Sequence, residues 1–180
     1  MGLFLVESAL PRNLREREAL EQTVASLADN TQSAESSLIE VQVSSDLTRA
    51  FFVLETQAQA SVPEILGKTG VPVTLVKAVR LVGADLEQVK NNALAVRYLV
   101  EWNLPEGLTM EKYIARKMAS PIHYAEVPAV TFQRTYVCED LTKCVCFYDS
   151  PDEETVYEAR KAVGASVDAI TETFRIPTQK

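Results

Sequence analysis

A gap-free internal repeat constrains this chain more than any single motif does. Ser45–Asp46–Leu47–Thr48–Arg49 returns as Glu139–Asp140–Leu141–Thr142–Lys143, an offset of 140 − 46 = 94 positions. The same offset carries Leu5–Val6–Glu7 onto Leu99–Val100–Glu101, Leu10–Pro11 onto Leu104–Pro105, Ala25–Ser26 onto Ala119–Ser120 and Gly70 onto Gly164. One unit is therefore written twice in 180 residues. Units of about 85 to 90 residues bury little surface alone, and the nearest partner surface is the other copy.

Each Asp–Leu turn lies between two apolar runs and reads as a hairpin. In the first copy Leu3–Glu7 has strand length, and Leu10–Pro11 ends it because proline cannot donate to a ladder. Apolar positions from Asn13 to Asp29 recur at helical spacing, with Asn13 as the cap. Asn30–Ser37 is small and polar, hence loop. Leu38–Val43 alternates Ile39, Val41 and Val43 with Glu40 and Gln42, and it pairs with Ala50–Glu55 as the hairpin. Ser61–Val62–Pro63–Glu64 carries the capping-box pattern of a short helix that stops at Gly70. Thr74–Val82 is the last strand.

The second copy repeats the plan. Tyr98–Glu101 is a strand, and Thr109 caps a helix that stops before Pro121. Phe132–Val137 and Lys143–Asp149 form the hairpin. Ser150–Pro151–Asp152–Glu153 starts a helix with Ser150 as cap and Pro151 in the first turn. Gly164 ends it, and Ala169–Ile176 closes the unit. The order predicts an α+β fold of two tandem ferredoxin-like (βαββαβ) domains, residues 1–83 and 97–180. A linker, 84–96, allows a helical turn or two through Leu86, Val89 and Leu94. The two copies are expected to pack sheet to sheet as a pseudo-dimeric α+β barrel, with association into a further homodimer left open.

The net charge of −7, with basic residues scattered among acidic ones, argues against nucleic acid as a partner. No run approaches the roughly 18 to 20 apolar residues of a membrane span, and Met1–Leu10 lacks the basic lead of a signal peptide. Three cysteines crowded into the second half make no secreted disulfide framework, so the expected compartment is the cytoplasm. Neither a Ser/His/Asp ordering, a glycine-rich phosphate loop nor an HExxH spacing occurs, so no catalytic residue is assigned.

Tyr98–Leu99–Val100–Glu101, Leu104–Pro105–Glu106–Gly107–Leu108, Thr135–Tyr136–Val137, Cys146–Phe147–Tyr148–Asp149–Ser150–Pro151 and Ala159–Arg160 through Val167–Asp168 form an ordered set. With these stretches the second copy resembles a family of small bacterial ferredoxin-like proteins of unassigned general function that includes a nickel-binding protein. The first copy is similar to a diverged version of the same domain. The resemblance implies a ferredoxin-like fold that pairs into a barrel, and it implies metal binding. Nickel binding in the described member depends on histidines. This chain has one, His123, and carries Arg134 where relatives carry histidine in the second strand.

Strand alternation sorts the candidate site residues. It predicts that Val145 and Phe147 face the helices, and that Cys146 and Tyr148, with Cys144, line the barrel face. Phe132, Arg134 and Tyr136 join them from the neighbouring strand, and Glu101 from the first. The first copy would add Leu5, Glu7, Leu38, Glu40, Gln42 and Phe52. Glu101, Phe132, Arg134, Tyr136, Cys146 and Tyr148 thus read as a small-ligand pocket. Alternatively they serve the interface between copies, with Glu40 or Glu101 neutralising Arg134.

Cys138, Cys144 and Cys146 flank one turn and read first as buried reduced thiols packing as small apolar side chains. Alternatively Cys138 and Cys144 meet across the turn, as metal ligands with His123 (zinc or copper) or as a labile disulfide. The first copy has Ser44, Ala50 and Phe52 where the second has Cys138, Cys144 and Cys146. The expected function is non-enzymatic binding of a small molecule or a protein partner, with no cofactor assigned. Two alternatives are a metal-binding protein and a small cofactor-free or haem-linked enzyme using Arg134, Tyr136 or His123.

Overall fold

The two Asp–Leu turns are hairpins of one geometry. In the computed structural model, which describes residues 1–32, 35–91 and 94–178, Asp46 Oδ1 accepts from the Thr48 N–H at 3.1 Å and from its hydroxyl at 2.7 Å. Asp140 does the same with Thr142, at 3.1 and 2.7 Å. These bonds hold Leu47 (φ 59°) and Leu141 (φ 56°) in the left-handed region, which a branched side chain seldom enters unaided.

Around these turns run eight strands: β1 (Gly2–Ala9), β2 (Ser36–Ser44), β3 (Arg49–Thr56), β4 (Leu75–Val82), β5 (Tyr98–Asn103), β6 (Thr131–Cys138), β7 (Lys143–Asp149) and β8 (Ala169–Ile176). In the first copy β1 pairs antiparallel with β3 and β4, and β2 with β3. In the second, β5 pairs with β7 and β8, and β6 with β7. Each is the four-stranded sheet of a split βαβ unit. The strand order β1-β3-β2-β8-β5-β7-β6-β4 closes on itself as an antiparallel ring, the barrel expected from the repeat.

The helices are α1 (Arg17–Thr31), α2 (Val62–Gly67), α3 (Leu86–Lys90), α4 (Met110–Ala119), α5 (Pro121–Tyr124) and α6 (Glu153–Ala162). By its contacts the chain divides into one unit of Met1–Val79, Val89–Asn92 and Phe174–Lys180 and a second of Arg80–Gln88 and Ala93–Thr173. In the first, Leu20, Val24 and Leu27 of α1 and Leu66 of α2 share a core with Val6, Val41, Phe52 and Leu54. In the second, Tyr113 of α4 and Val156 and Ala159 of α6 share a core with Val100, Cys144, Cys146 and Tyr148.

Several helix starts differ from expectation. Asn13 sits in a 3-10 turn, Arg12–Leu14, and α1 begins only at Arg17 with Glu16 at its cap. Ser61 ends another 3-10 turn and is itself helical (φ −76°, ψ −22°), so its hydroxyl makes no cap bond; capping needs an extended backbone at that residue. Asp152, not Ser150, caps α6, accepting from Thr155 N–H at 2.8 Å, while Ser150 donates to the Asp152 carbonyl. Thr109 caps α4 as expected, accepting from Lys112 N–H at 3.3 Å. The loop read at Asn30–Ser37 is shorter, since α1 reaches Thr31 and β2 starts at Ser36. Residues 33 and 34 of that loop, and 92 and 93 of the linker, lie outside the described residues.

Each copy also carries a bulge that alternation alone does not show. The register shifts between Leu38 and Glu40 and again between Phe132 and Arg134, leaving Ile39 and Gln133 extra, 133 − 39 = 94 positions apart. An extra residue reverses the facing of every side chain beyond it. Among the described residues no helix is long and apolar enough to cross a membrane.

Candidate functional site

The predicted site residues of the second copy separate onto two faces of its sheet. Cys144, Cys146 and Tyr148 belong to the core under α4 and α6, and Phe132 packs against it. The facing predicted for β7 is therefore inverted: Val145 and Phe147 point away from the helices. With five consecutive buried residues, Cys144 to Tyr148, β7 has no polar alternation to set its parity. The bulge at Gln133 then puts Arg134 opposite Phe147 and Tyr136 opposite Val145, on the face turned away from the helices. Glu101 shares that face, opposite Val145 on β5's side. In the first copy the same correction moves Leu38 and Phe52 to the helix side.

On the face away from the helices, the Arg134 guanidinium lies 5.0 Å over the Phe147 ring, and Tyr136 meets Phe147 edge-on at 5.6 Å. Glu101 pairs with Lys143 at 2.8 Å. Arg134 and Tyr136 are fully buried.

The helix side holds a polar network that sequence reasoning did not assemble. Cys146 Sγ lies 3.3 Å from Lys117 Nζ, 3.6 Å from an Arg160 guanidinium nitrogen, 3.2 Å from the Thr135 hydroxyl and 3.8 Å from Cys144 Sγ. Tyr148 Oη receives a bond from Arg160 at 3.2 Å and shares one with Tyr124 Oη at 2.8 Å. Arg160 also donates to the Ser166 carbonyl. The Cys144 bond, together with the Lys117 and Arg160 charges, holds the Cys146 thiol well below its usual range against the cost of its burial. The same pairing and burial push Cys144 up. Burial raises Tyr113, Tyr124 and Tyr148 as well, so the phenols stay neutral. A thiol whose pKa is held down between two cations is the electrostatic content of the network.

Beside it opens a cavity of about 550 Å³, bounded by α4, α5 and the start of β6, with Lys117, Met118, Tyr124, Ala125 and Phe132 in its lining. Tyr124 and Phe132 stack at 5.5 Å with planes 2° apart. Lys117 Nζ lies 4.9 Å over the Phe132 ring. Gly83 (φ 91°) closes one side; a Cβ there would lie 2.8 Å from the Phe132 ring, so only glycine lets the backbone approach. The cavity is thus on the second copy but on its helix side, and of the six predicted site residues Phe132 alone lines it. Cys146 and Tyr148 stand behind it through Lys117 and Tyr124, whereas Glu101, Arg134 and Tyr136 are on the other face. Lys117, Tyr124 and Arg160 were missed. Their signal was present in the repeat: the positions 94 residues before Lys117 and Arg160 are the uncharged Thr23 and Leu66.

The metal candidates do not converge. His123, on α5, is exposed and pairs with Glu126 at 3.2 Å. The register sets Cys144 against Val137, so Cys138 points to the opposite face and does not meet it. Among the described residues no group of three or more His, Cys, Asp or Glu side chains could hold a metal ion. The residues proposed for haem-linked chemistry do not share a site either, His123 being on α5 and Arg134 and Tyr136 beneath the sheet.

No curated protein matches the chain in sequence. Its fold is similar to that of a candidate chlorite dismutase, with TM-score 0.61 and 9% identity over 99% of this chain and 96% of that one. It is also similar to a candidate monooxygenase from Lactobacillus acidophilus (0.54, 9%, 97% and 94%) and to a mutant chlorite dismutase from Candidatus Nitrospira defluvii (0.50, 13%, 98% and 91%). At such identities the likeness is one of fold. Residues 98–173 match the family model described as SCO4226-like nickel responsive protein. The second half of the chain is thus similar to the SCO4226-like family, within a whole-chain fold resembling the chlorite dismutase-like tandem of ferredoxin-like domains.

Proposed function

We propose that this chain is a non-enzymatic binding protein whose second copy takes a small molecule in the cavity between α4, α5 and β6. The cavity itself carries the reading. At about 550 Å³, with mostly apolar walls and one ammonium at its edge, it has the size and character of a small-molecule site. The repeat supports it. Cys146, Tyr148, Arg160 and Thr135 of the second copy correspond to Phe52, Leu54, Leu66 and Val41 of the first. The same backbone plan is satisfied by hydrocarbon, so the polar set beside the cavity is not required by the fold.

The nickel in the family's description offers a second reading, but the donors present do not fit it. The lone histidine is exposed on α5, and the cysteines are buried on two sheet faces. An enzyme reading by analogy with the dismutase and monooxygenase folds rests on fold alone: Arg134 and Tyr136 are buried on the face away from the helices, and His123 is exposed on α5, none of them in the cavity lining.

Native mass spectrometry of the purified chain tests the proposal. A retained organic ligand, lost in an Ala125→Trp variant that fills the cavity, is the expected result. Stoichiometric nickel with no organic adduct would overturn it in favour of the metal reading.

A further inference from the structure

Building on the binding reading, we infer that the cavity selects a planar aromatic anion, an arylcarboxylate or arylsulfonate, with its ring against the Tyr124–Phe132 pair and its charge at Lys117. The two rings are parallel and stacked 5.5 Å apart, and both line the cavity, so an aromatic ligand extends a stack that a branched aliphatic one cannot join. Charge decides the rest. Lys117 is the one lysine, arginine or carboxylate among the lining residues, and Arg160 lies behind it against Cys146 and Tyr148. Two cations therefore face at most one thiolate across this cluster, with the tyrosines neutral, leaving a net positive charge beside an apolar cavity.

The Lys117 ammonium is held over the Phe132 and Tyr113 rings, at 4.9 and 5.6 Å, and has one hydrogen-bond acceptor here, Cys146 Sγ. An ammonium carries three donors, so water meets the rest while the cavity is open. A neutral aromatic ligand would strip that water and return nothing, which is a cost. An anion replaces the water with a bond in which donor and acceptor are both charged.

The test uses two dyes of one skeleton, 8-anilinonaphthalene-1-sulfonate and the neutral N-phenyl-1-naphthylamine, titrated by fluorescence into the full chain at low salt. The expected result is a Kd about ten-fold lower for the sulfonate. That advantage should vanish in Lys117→Met, which keeps the unbranched stem, and persist in Lys117→Arg. Equal Kd values in the wild type, or a preference that survives Lys117→Met, would overturn the inference and leave the binding reading standing. Failure of both dyes to bind, or binding that Ala125→Trp leaves unchanged, would overturn both. Should Lys117→Met not fold, the wild type decides through salt. A sulfonate advantage that shrinks several-fold by about 0.5 M supports the inference, and one indifferent to salt overturns it.

Discussion

Where the first copy sets Leu66 of α2 in one core with Phe52 and Leu54 of β3, the second sets Arg160 of α6 against Cys146 and Tyr148 of β7. The hairpin strands correspond, down to the bulge and the Asp–Leu turn, yet one helix-covered face is dry and the other holds charge. Burying a guanidinium and a thiolate is costly unless each meets the other, and a hydrocarbon core of equal volume is often as stable or more so. The first copy shows the fold managing without them. What differs between the copies is therefore the better guide to function, and what they share is the guide to folding.

The comparison breaks most sharply at Leu66. Leu66→Arg gives the first copy a buried cation with Phe52 and Leu54 where the second has thiol and phenol, and should cost about 3 to 5 kcal/mol in urea unfolding. A loss below about 1 kcal/mol would mean the dry core accepts charge as readily as the wet one.

Arg160→Leu makes the second copy resemble the first. It strips a donor from Cys146 and from Tyr148 and should cost about 2 to 3 kcal/mol. In a double-mutant cycle with Cys146→Ala the coupling should reach about 1 kcal/mol; simple additivity would show that the two do not work as a pair.

The thiolate itself sharpens the contrast through pH. With its folded pKa lowered, Cys146 stabilises the native state above the unfolded thiol's pKa of about 8.5. That contribution falls as pH drops through the folded value. Cys144, pushed up, acts oppositely and erodes stability above the ordinary thiol range. Wild type should therefore gain on Cys146→Ala between neutral pH and about 8.5, and thiolate absorbance near 240 nm should disappear at neutral pH in that variant. A neutral-pH spectrum unchanged by the substitution would remove the thiolate from the argument. The smallest effect is expected at Thr135→Val, the residue the first copy has at position 41. It removes the 2.9 Å bond donated to the Val145 carbonyl and the 3.2 Å contact with Cys146 Sγ, for about 1 kcal/mol in the same unfolding assay.

The repeat made the fold legible. Its offset located every strand, and the Asp–Leu turns fixed both hairpins, because turn chemistry and alternation are local. Facing was less legible. Alternation needs polar residues to show its phase, and β7 from Cys144 to Tyr148 has only buried ones, so Cys146 and Tyr148 read onto the wrong face. The cavity was illegible for another reason. Lys117, Tyr124 and Phe132 come from three elements, and nothing in their spacing says that α5 turns Tyr124 onto Phe132.

The extra residue at Gln133 gives β6 two allegiances. Upstream of it Phe132 serves the cavity side, and downstream Arg134 and Tyr136 serve the opposite surface. Removing that single residue would make the strand speak to one side only: either Phe132 leaves the cavity, or a guanidinium is driven under α4 among Tyr113 and Val137. A one-residue deletion here would thus do more harm than most side-chain changes, though it takes away nothing but an exchange of sides.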